Sequence, residues 1–296
     1  MLTNWPKISL VTPCLNQAQF LEATIQSVLS QNYQNLEYII IDGGSTDGSR
    51  EIIKKYENQV HFWCSEPDGG QYDAINKGFA HSTGEIMAWL NSDDMYFSWT
   101  FKTVASIMSE LLQVEWLTSL NPGLWDWHGF CVGFRPVSGY SKESFLDGHF
   151  LAPSNCIQQE STFWRRNLWE KAGGYLSTEY KLAGDFELWS RFYLHSDLFG
   201  ATSPLGGFRH QKNQRSYQNQ EEYLMEAKEL LAIMRSKCKW MPNYLRSTAS
   251  RLKLNKIPKI KKIINYMYGY PGRMIARDNL YFETSYWTIK EYNFSS

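Results

Sequence analysis

Short apolar runs alternate with amphipathic segments through the first 90 residues, and this alternation constrains the fold more than any other feature of the chain. The apolar runs are typical of strands and cover residues 7–12, 36–41, 60–64 and 85–90. Between them, a helical period places Leu21, Ile25 and Val28 on one face. A strand–helix rhythm of this kind predicts an α/β fold with a mostly parallel central sheet flanked by helices.

Polar loops follow three of the predicted strands, at residues 12–16, 42–48 and 91–94. In a parallel sheet the carboxyl ends of the strands meet at one edge, and open α/β sheets bind ligands there. Thr12 and Asn16 offer hydrogen-bonding groups to a base or ribose, and Asp42 offers a carboxylate acceptor. Taken alone, Asp42 is better explained as a turn initiator before two glycines.

Two adjacent carboxylates, Asp93 and Asp94, come directly after the apolar run 86–90. Neighbouring carboxylates repel each other, so a site that keeps both usually holds a cation or a metal-bound diphosphate. A turn with two solvated aspartates is the alternative. The chain has no Gly-x-Gly-x-x-Gly fingerprint after its first predicted strand and no Walker phosphate loop. A nucleotide site here would therefore use carboxylates, a metal ion and loop amides.

Asp185 opens a predicted helix that runs through His195. An aspartate in front of a helix is well suited to be an N-cap, and it can also face a cleft and act as a base. His210 follows a Gly206-Gly207 turn, and a lone histidine is more often structural than a ligand.

These segments together resemble family 2 glycosyltransferases, which have the GT-A fold. The resembling segments occur in the family's order from residue 7 to about 215, at 9–16, 22–31, 41–48, 91–94 and 184–187. Two further segments, 66–78 and 158–166, resemble the branch associated with bacterial O-antigen and exopolysaccharide assembly. Where the family motif usually has an aspartate two positions before its last one, this chain has Ser92, which favours coordination of a metal by a single aspartate.

The resemblance implies a role for each matching residue. The residues that would surround the nucleotide-sugar are Thr12, Pro13, Asn16, Asp42, Asp68, Asn76, Lys77 and Asp93. Asp94 would bind a divalent cation, Mn²⁺ or Mg²⁺, and His210 is a weaker candidate for the same metal site. Asp185 would be the catalytic base.

The implied function is inverting transfer of a sugar from a nucleotide-diphosphate sugar, with UDP as the expected nucleotide, to a hydroxyl of a glycan or lipid-linked saccharide. A catalytically silent nucleotide- or sugar-binding protein with the same fold is the alternative. A nucleotidyltransferase would share the strands and the metal carboxylates. However, the chain lacks the glycine-rich basic loop that such an enzyme carries after its first strand.

The charge balance changes sharply near residue 235. Residues 235–296 contain 13 Lys and Arg against 3 acidic residues, although the whole chain has a net charge of zero. We therefore predict a catalytic domain at 1–235 and a helical basic extension at 236–296.

Apolar and basic residues alternate in this extension, a pattern that can lie on an anionic membrane surface through residues 240–277. A helix that packs on the acidic main domain explains the pattern equally well. No motif indicates nucleic acid. The N-terminus lacks the pattern of a signal peptide, so we expect a cytoplasmic protein, attached peripherally to the inner face of the membrane if the extension binds lipid.

Overall fold

The computed structural model describes residues 5–151, 155–212, 214, 218–241, 269–281 and 283–294. These residues contain two sheets, one of nine strands and one of four. The strands, numbered along the chain, are β1 Ile8–Cys14, β2 Leu36–Asp42, β3 Phe62–Ser65, β4 Ile86–Trp89, β5 Met95–Tyr96, β6 Trp116–Ser119, β7 Gly123–Trp125, β8 Cys131–Phe134, β9 Phe163–Arg165, β10 Phe199–Ala201, β11 Gly206–Arg209, β12 Tyr270–Asp278 and β13 Tyr286–Phe294.

Helices follow most of the strands of the large sheet. They are α1 Ala18–Leu29, α2 Ser49–Lys55, α3 Gln71–Ala80, α4 Thr100–Glu110, α5 Lys142–Leu146, α6 Arg166–Lys171, α7 Gly184–Phe192 and α8 Gln220–Lys237. The four strands and three helices predicted before residue 91 are confirmed, with bounds that differ by a few residues. Their periodicity was readable because β1, β2 and β4 are buried on both faces and each helix on one, while the edge strand β3 is partly buried.

The large sheet runs in the order β13-β12-β10-β6-β9-β4-β1-β2-β3. The strands β4, β1, β2 and β3 are parallel neighbours, whereas β9 is antiparallel to both β4 and β6. The prediction of a mostly parallel central sheet is therefore confirmed. Because β4, β1 and β2 are adjacent, the polar loops that follow them meet at one edge of the sheet.

A hydrophobic core covers each face of the large sheet. On one face, Trp89, Trp116, Trp164 and Trp189 pack closely, and Trp89 stacks on Trp189 with ring centroids 5.7 Å apart. The other core contains the apolar faces of α1 and α4. Many of the 12 tryptophans of the chain therefore serve the core, and the high aromatic content is not by itself a sign of sugar binding.

The sequence of residues 158–164 is typical of a strand, but only the end of this segment forms one. Its first part is a 3₁₀ turn at Gln159–Ser161, and strand pairing begins only at Phe163. The polar side chains explain the difference. They form hydrogen bonds with backbone carbonyls, and these bonds stabilise the turn in place of a longer strand. The Gln159 amide donates to the carbonyl of Trp89, and the Thr162 hydroxyl donates to the carbonyl of Gln158 over 2.8 Å.

The end of the chain also differs from its prediction. Residues 270–294, which we expected to be part of a helical extension, form the antiparallel pair β12–β13, and β12 joins β10 in the large sheet. The apolar and basic segment predicted to contact a membrane lies mostly in 242–268, outside the described residues. None of the helices among the described residues is long and apolar enough to cross a membrane. The division of the chain near residue 235 stays a prediction.

Candidate active site

The turn after β4 carries the acidic pair, and a side chain of helix α1 contacts the backbone of this turn. The Thr24 hydroxyl lies 2.9 Å from the carbonyl oxygen of Ser92 and 2.8 Å from that of Asp94. Within the turn, the backbone N–H of Asp94 donates to the carbonyl of Asn91 over 3.1 Å. The position of the pair is therefore determined by the backbone of the turn, which leaves both carboxylates available for the pocket.

Asp94 is 1% exposed, and one of its oxygens accepts a hydrogen bond of 2.9 Å from the backbone N–H of Arg209. Burial raises the pKa of Asp94 well above its usual range, and the negative charges of Asp93 and Glu160 raise it further. Burial also raises the pKa of Asp93, whose carboxylate accepts a hydrogen bond from the amide of Gln211. The positive charge of the buried Arg209 side chain offsets part of this effect on both carboxylates, and a bound cation would offset more of it.

The donor set of this acidic pair fits a divalent cation. Two carboxylates from one turn match the way Mg²⁺ is usually bound, by one or two carboxylates together with phosphate oxygens of a substrate. The described residues contain no group of three His, Cys, Asp or Glu side chains that could hold a metal ion by themselves. His210 is exposed, and it does not line the pocket. Its role at the metal stays a prediction, and the remaining ligands would have to come from the substrate or water.

Asp185 lines the same pocket from the start of α7. The N-cap of this helix is Ala183, so Asp185 lies within the first turn and is not the capping residue. Its carboxylate accepts a hydrogen bond of 2.7 Å from the backbone N–H of Phe186. Burial raises the pKa of Asp185 to about 6, and the charge of Glu226 acts in the same direction. A carboxylate with a pKa near neutrality suits a general base, because it is ionised at pH 7 and still accepts a proton readily.

Glu160 is a third acidic group in the pocket, and we assigned it no role from the sequence. It is 3% exposed, and its Oε1 atom has no hydrogen-bond partner among the described residues. Burial, with a smaller contribution from the charges of Asp185 and Asp93, raises the pKa of Glu160 to about 7. A glutamate inside a segment that otherwise looked like a buried strand was the available signal, because buried charges are rare without a purpose.

Pro13 and Asp68 also line the pocket, whereas five other predicted nucleotide-binding residues support its walls. The Thr12 hydroxyl lies 3.2 Å from the Tyr38 hydroxyl within the core. Asp42 is fully buried and accepts hydrogen bonds from the hydroxyls of Ser45 and Ser65. These contacts fix the loops that follow β1 and β2.

Asn16, Asn76 and Lys77 join neighbouring loops. The side-chain Oδ1 atom of Asn16 accepts a hydrogen bond of 2.9 Å from the N–H of Thr46, and the side-chain amide of Asn76 makes two bonds of 2.8 Å to the backbone of Leu176. Lys77 lies 3.3 Å from the Glu66 carboxylate. A direct contact of these residues with a nucleotide stays a prediction.

The pocket has a volume of about 370 Å³, which is enough for a small ligand. Its lining combines the acidic groups with Tyr72, Tyr223, Arg135 and Lys181. The structure therefore brings together five of the predicted site residues, namely Pro13, Asp68, Asp93, Asp94 and Asp185.

Comparison with known proteins identifies the chain. Residues 9–111 match the model of the glycosyl transferase family 2. An uncharacterized glycosyltransferase of Mycobacterium tuberculosis is 32% identical over 194 residues, which cover 63% of this chain and 68% of that protein. The chain belongs to glycosyltransferase family 2. A putative teichuronic acid biosynthesis glycosyltransferase of Bacillus subtilis, TuaG, is 38% identical over 99 residues, which cover 32% of this chain and 39% of TuaG.

Solved structures show that the glycosyltransferase has the GT-A fold that we predicted. TarS 1–349 of S. aureus in complex with UDP-GlcNAc superposes with a TM-score of 0.59 at 19% identity, covering 77% of this chain and 66% of TarS. The mannosyltransferase PcManGT from Pyrobaculum calidifontis, in complex with GDP-Man and Mn²⁺, has a TM-score of 0.52 at 14% identity, covering 88% of this chain and 84% of PcManGT. At these identities the likeness concerns the fold alone.

Proposed function

We propose that this glycosyltransferase moves a sugar from a nucleotide-diphosphate sugar to a hydroxyl of a glycan or lipid-linked saccharide, with inversion at the anomeric carbon. One observation carries the proposal: the acidic pair after β4 and Asp185 at the start of α7 line one pocket. The ligands named for TarS and PcManGT support a nucleotide-sugar donor, and the name of TuaG supports a polysaccharide acceptor. UDP is our first choice of nucleotide.

The diphosphate end of the donor would lie at the acidic pair. Asp94, with Asp93 beside it, would hold a divalent cation, Mn²⁺ or Mg²⁺. Such an ion neutralises negative charge on the leaving diphosphate as a Lewis acid. Asp93 would also orient the ribose or sugar, and its bond from Gln211 holds the carboxylate in place. Pro13 and Asp68 would contact the nucleoside.

Asp185 would act on the acceptor. Its carboxylate takes the proton from the acceptor hydroxyl as that oxygen attacks C1 of the sugar. The C1–oxygen bond to the diphosphate breaks while the new C1–oxygen bond forms, so the electron pair leaves with the nucleoside diphosphate. A single displacement from the opposite face inverts the anomeric configuration. The reaction needs no carboxylic acid at the leaving oxygen, in contrast to glycoside hydrolysis.

We propose that residues 1–235 carry this chemistry, because the proposed ligands and the base all lie within them. For the part of residues 240–277 that precedes β12, we retain the proposal of attachment to the inner face of the cytoplasmic membrane; residues 270–277 belong to the large sheet instead. Sedimentation with vesicles of neutral and of anionic lipid tests the attachment. If the protein sediments with neither kind of vesicle, the proposed membrane attachment is wrong.

Calorimetric titration of UDP and GDP, each with and without Mn²⁺, tests the donor site. We expect one of the two nucleotides to bind in a manner that depends on Mn²⁺. Asp94→Asn should weaken this binding by about 100-fold or more, because the amide cannot supply a charged oxygen to the ion. Glu170→Gln, an exposed carboxylate on α6, is the control and should leave the affinity unchanged.

Transfer is then measured as release of the nucleoside diphosphate from a panel of sugar nucleotides with glycan acceptors, and the anomer formed is read by NMR. A product with inverted configuration is expected. Binding that does not depend on Mn²⁺ or on Asp94 would contradict the proposed metal site. A product with retained configuration would contradict the single displacement.

A further inference from the structure

The backbone directly before Asp185 is held by one carboxylate from α8. Glu226 accepts hydrogen bonds from three consecutive backbone N–H groups, those of Lys181 at 2.9 Å, Leu182 at 3.0 Å and Ala183 at 2.8 Å. Hydrogen bonds to a charged acceptor are about twice as strong as those between neutral groups. Three of them on successive residues fix the path of the chain into α7.

Tyr72 from α3 holds the same segment from the other side. Its hydroxyl donates to the carbonyl of Leu182 over 2.9 Å and accepts a bond of 3.0 Å from the N–H of Gly184. The ring packs so closely on Gly184 that a Cβ atom there would lie 2.6 Å from it. Residue 184 therefore has to be glycine for Tyr72 to reach the backbone.

These contacts replace a cap that α7 does not have. A helix leaves its first backbone N–H groups without partners inside the helix, and a polar N-cap side chain usually accepts one of them. The N-cap here is Ala183, whose methyl group cannot accept a hydrogen bond. Glu226 and Tyr72 supply the missing acceptors from two other helices, and Asp185 itself bonds to the N–H of Phe186.

We propose that Glu226 and Tyr72 form a clamp on residues 181–184 that positions Asp185 for catalysis. The inference rests on the proposed role of Asp185 as the base, and it adds two positioning residues to that role. Glu226 lies outside residues 9–111, the part that matches the family model. The clamp therefore makes the catalytic end of the pocket depend on α8, which follows the motif-bearing part of the chain.

Glu226 also acts on Asp185 through its charge. The negative charge of Glu226 raises the pKa of Asp185, so removing that charge should lower this pKa. Asp185 also interacts electrostatically with Glu160, Cys156 and Tyr223. Lys181 and Tyr72 line the pocket as well. Substitution of Glu226 removes none of these other groups. A change in the pH profile therefore reports the loss of the Glu226 charge.

The test compares Glu226→Gln and Tyr72→Phe with Glu229→Gln, an exposed carboxylate on the same helix. The probes are UDP and UDP-GlcNAc, or whichever sugar nucleotide the wild type turns over. We expect kcat to fall roughly 10- to 100-fold in both clamp variants, because misplacing a reacting group has an effect of this size. The KM for the donor and the Kd for UDP should stay within about twofold, since donor contacts are intact. Glu229→Gln should match the wild type.

Two further readouts separate positioning from general stability. In Glu226→Gln the acidic limb of the kcat/KM profile should move to lower pH, because the charge that raises the pKa of Asp185 is removed. Hydrogen exchange of the amides in 181–184 should rise in both clamp variants, because local opening becomes easier. Wild-type kcat, or unchanged exchange in 181–184, would overturn the clamp. A different result would overturn the positioning role of the clamp: a fall in kcat no larger than the loss of folded protein, together with an unchanged acidic limb of the pH profile.

The proposed base is tested separately with Asp185→Asn. Full turnover in that variant would refute the function of Asp185, whereas the exchange measurement would still decide whether Glu226 and Tyr72 hold the segment. Failure of the clamp and failure of the proposed function therefore give different results.

Discussion

The turn that carries Asp94 and the helix start that carries Asp185 bring two carboxylates into one pocket by different means. The turn extends a central strand of the sheet, and the hydroxyl of Thr24 on α1, the helix that follows the neighbouring strand β1, holds it across separations of 68 and 70 residues. The start of α7 has no polar N-cap, and groups from α3 and α8 hold it across separations of 112 and 43 residues. The acidic turn follows a strand of the sheet and is held by one neighbouring helix, whereas the start of α7 depends on how two other helices, α3 and α8, pack against it.

Asp185→Asn should have the largest effect, and it should distinguish the two regions by changing kcat without changing nucleotide binding. If Asp185 is the base, kcat should fall by about 10³-fold, within the range known for general bases. Binding of the nucleotide in the presence of Mn²⁺ should be retained, because the acidic turn is untouched. Calorimetry and the release assay on the same preparation measure both quantities. Loss of nucleotide binding in this variant would mean that the two regions do not have separate tasks.

Glu160 interacts with both regions, and its burial predicts how stability depends on pH. Its pKa in the folded protein is about 7, above the value of about 4.3 for an exposed glutamate. Its contribution to stability is therefore complete below pH 4.3 and is lost as the pH rises through 7. Between pH 5 and 8 we expect the wild type to lose on the order of 2 kcal/mol of unfolding free energy by this route.

Denaturation by urea at pH 5, 6, 7 and 8 checks this prediction. Glu160→Gln should show a flatter dependence on pH, since the amide does not ionise. The control is Glu57→Gln, which removes an exposed carboxylate. The neighbouring change Gln159→Glu is unsuitable because it would add a charge. An identical pH dependence in Glu160→Gln and the wild type would show that Glu160 is not the group that titrates.

The pH profile of the reaction should report Asp185. A base must be ionised, so kcat/KM should rise with pH through the pKa of about 6. One group with this pKa gives about a tenfold increase between pH 5 and pH 7. Rates of nucleotide release at saturating Mn²⁺ measure the profile. A flat profile over this range would indicate that proton removal by Asp185 does not limit the rate.

The smallest effect should come from Thr24→Val, which keeps the shape of the side chain and removes the hydroxyl. The two buried carbonyls that share this single O–H donor lose it, so the free energy of unfolding should fall by about 1 kcal/mol. The Kd for the nucleotide with Mn²⁺ should rise a few-fold, because the acidic turn is less firmly held. Thr103→Val, also within a helix, is the matched control for the change in helix propensity. A larger effect on kcat than on Kd would contradict the division of tasks between the two regions.

The sequence predicted the first region well, because its information is local. The strands up to β4 and the helices between them have clear periods, and adjacent parallel strands bring their loops together without further knowledge. The acidic pair directly follows such a strand. The place of Asp185 at the beginning of a helix was also readable from the sequence, but the N-cap role that this place favoured was wrong, and the role as base was implied by the family resemblance.

The sequence could not predict contacts between distant segments. Glu226 looks like an ordinary surface glutamate of an amphipathic helix, and nothing near it in the chain indicates three backbone partners. Asp42 and Asn76 are polar residues at plausible positions, yet their side chains join loops within the walls of the pocket. The pairing of β12 with β10 joins Met274 to Gly200, and no local pattern reveals it.

The pair β12–β13 has a practical consequence for anyone who shortens this protein. A chain cut after residue 235, where the composition changes, would lose the partner of β10 and the indole of Trp287, which donates to the Ser106 hydroxyl on α4 over 2.9 Å. The backbone of β10 would then form an open edge next to an uncovered apolar surface, an arrangement that promotes aggregation. A soluble catalytic fragment therefore has to keep residues 270–294, although every proposed catalytic residue lies before residue 235.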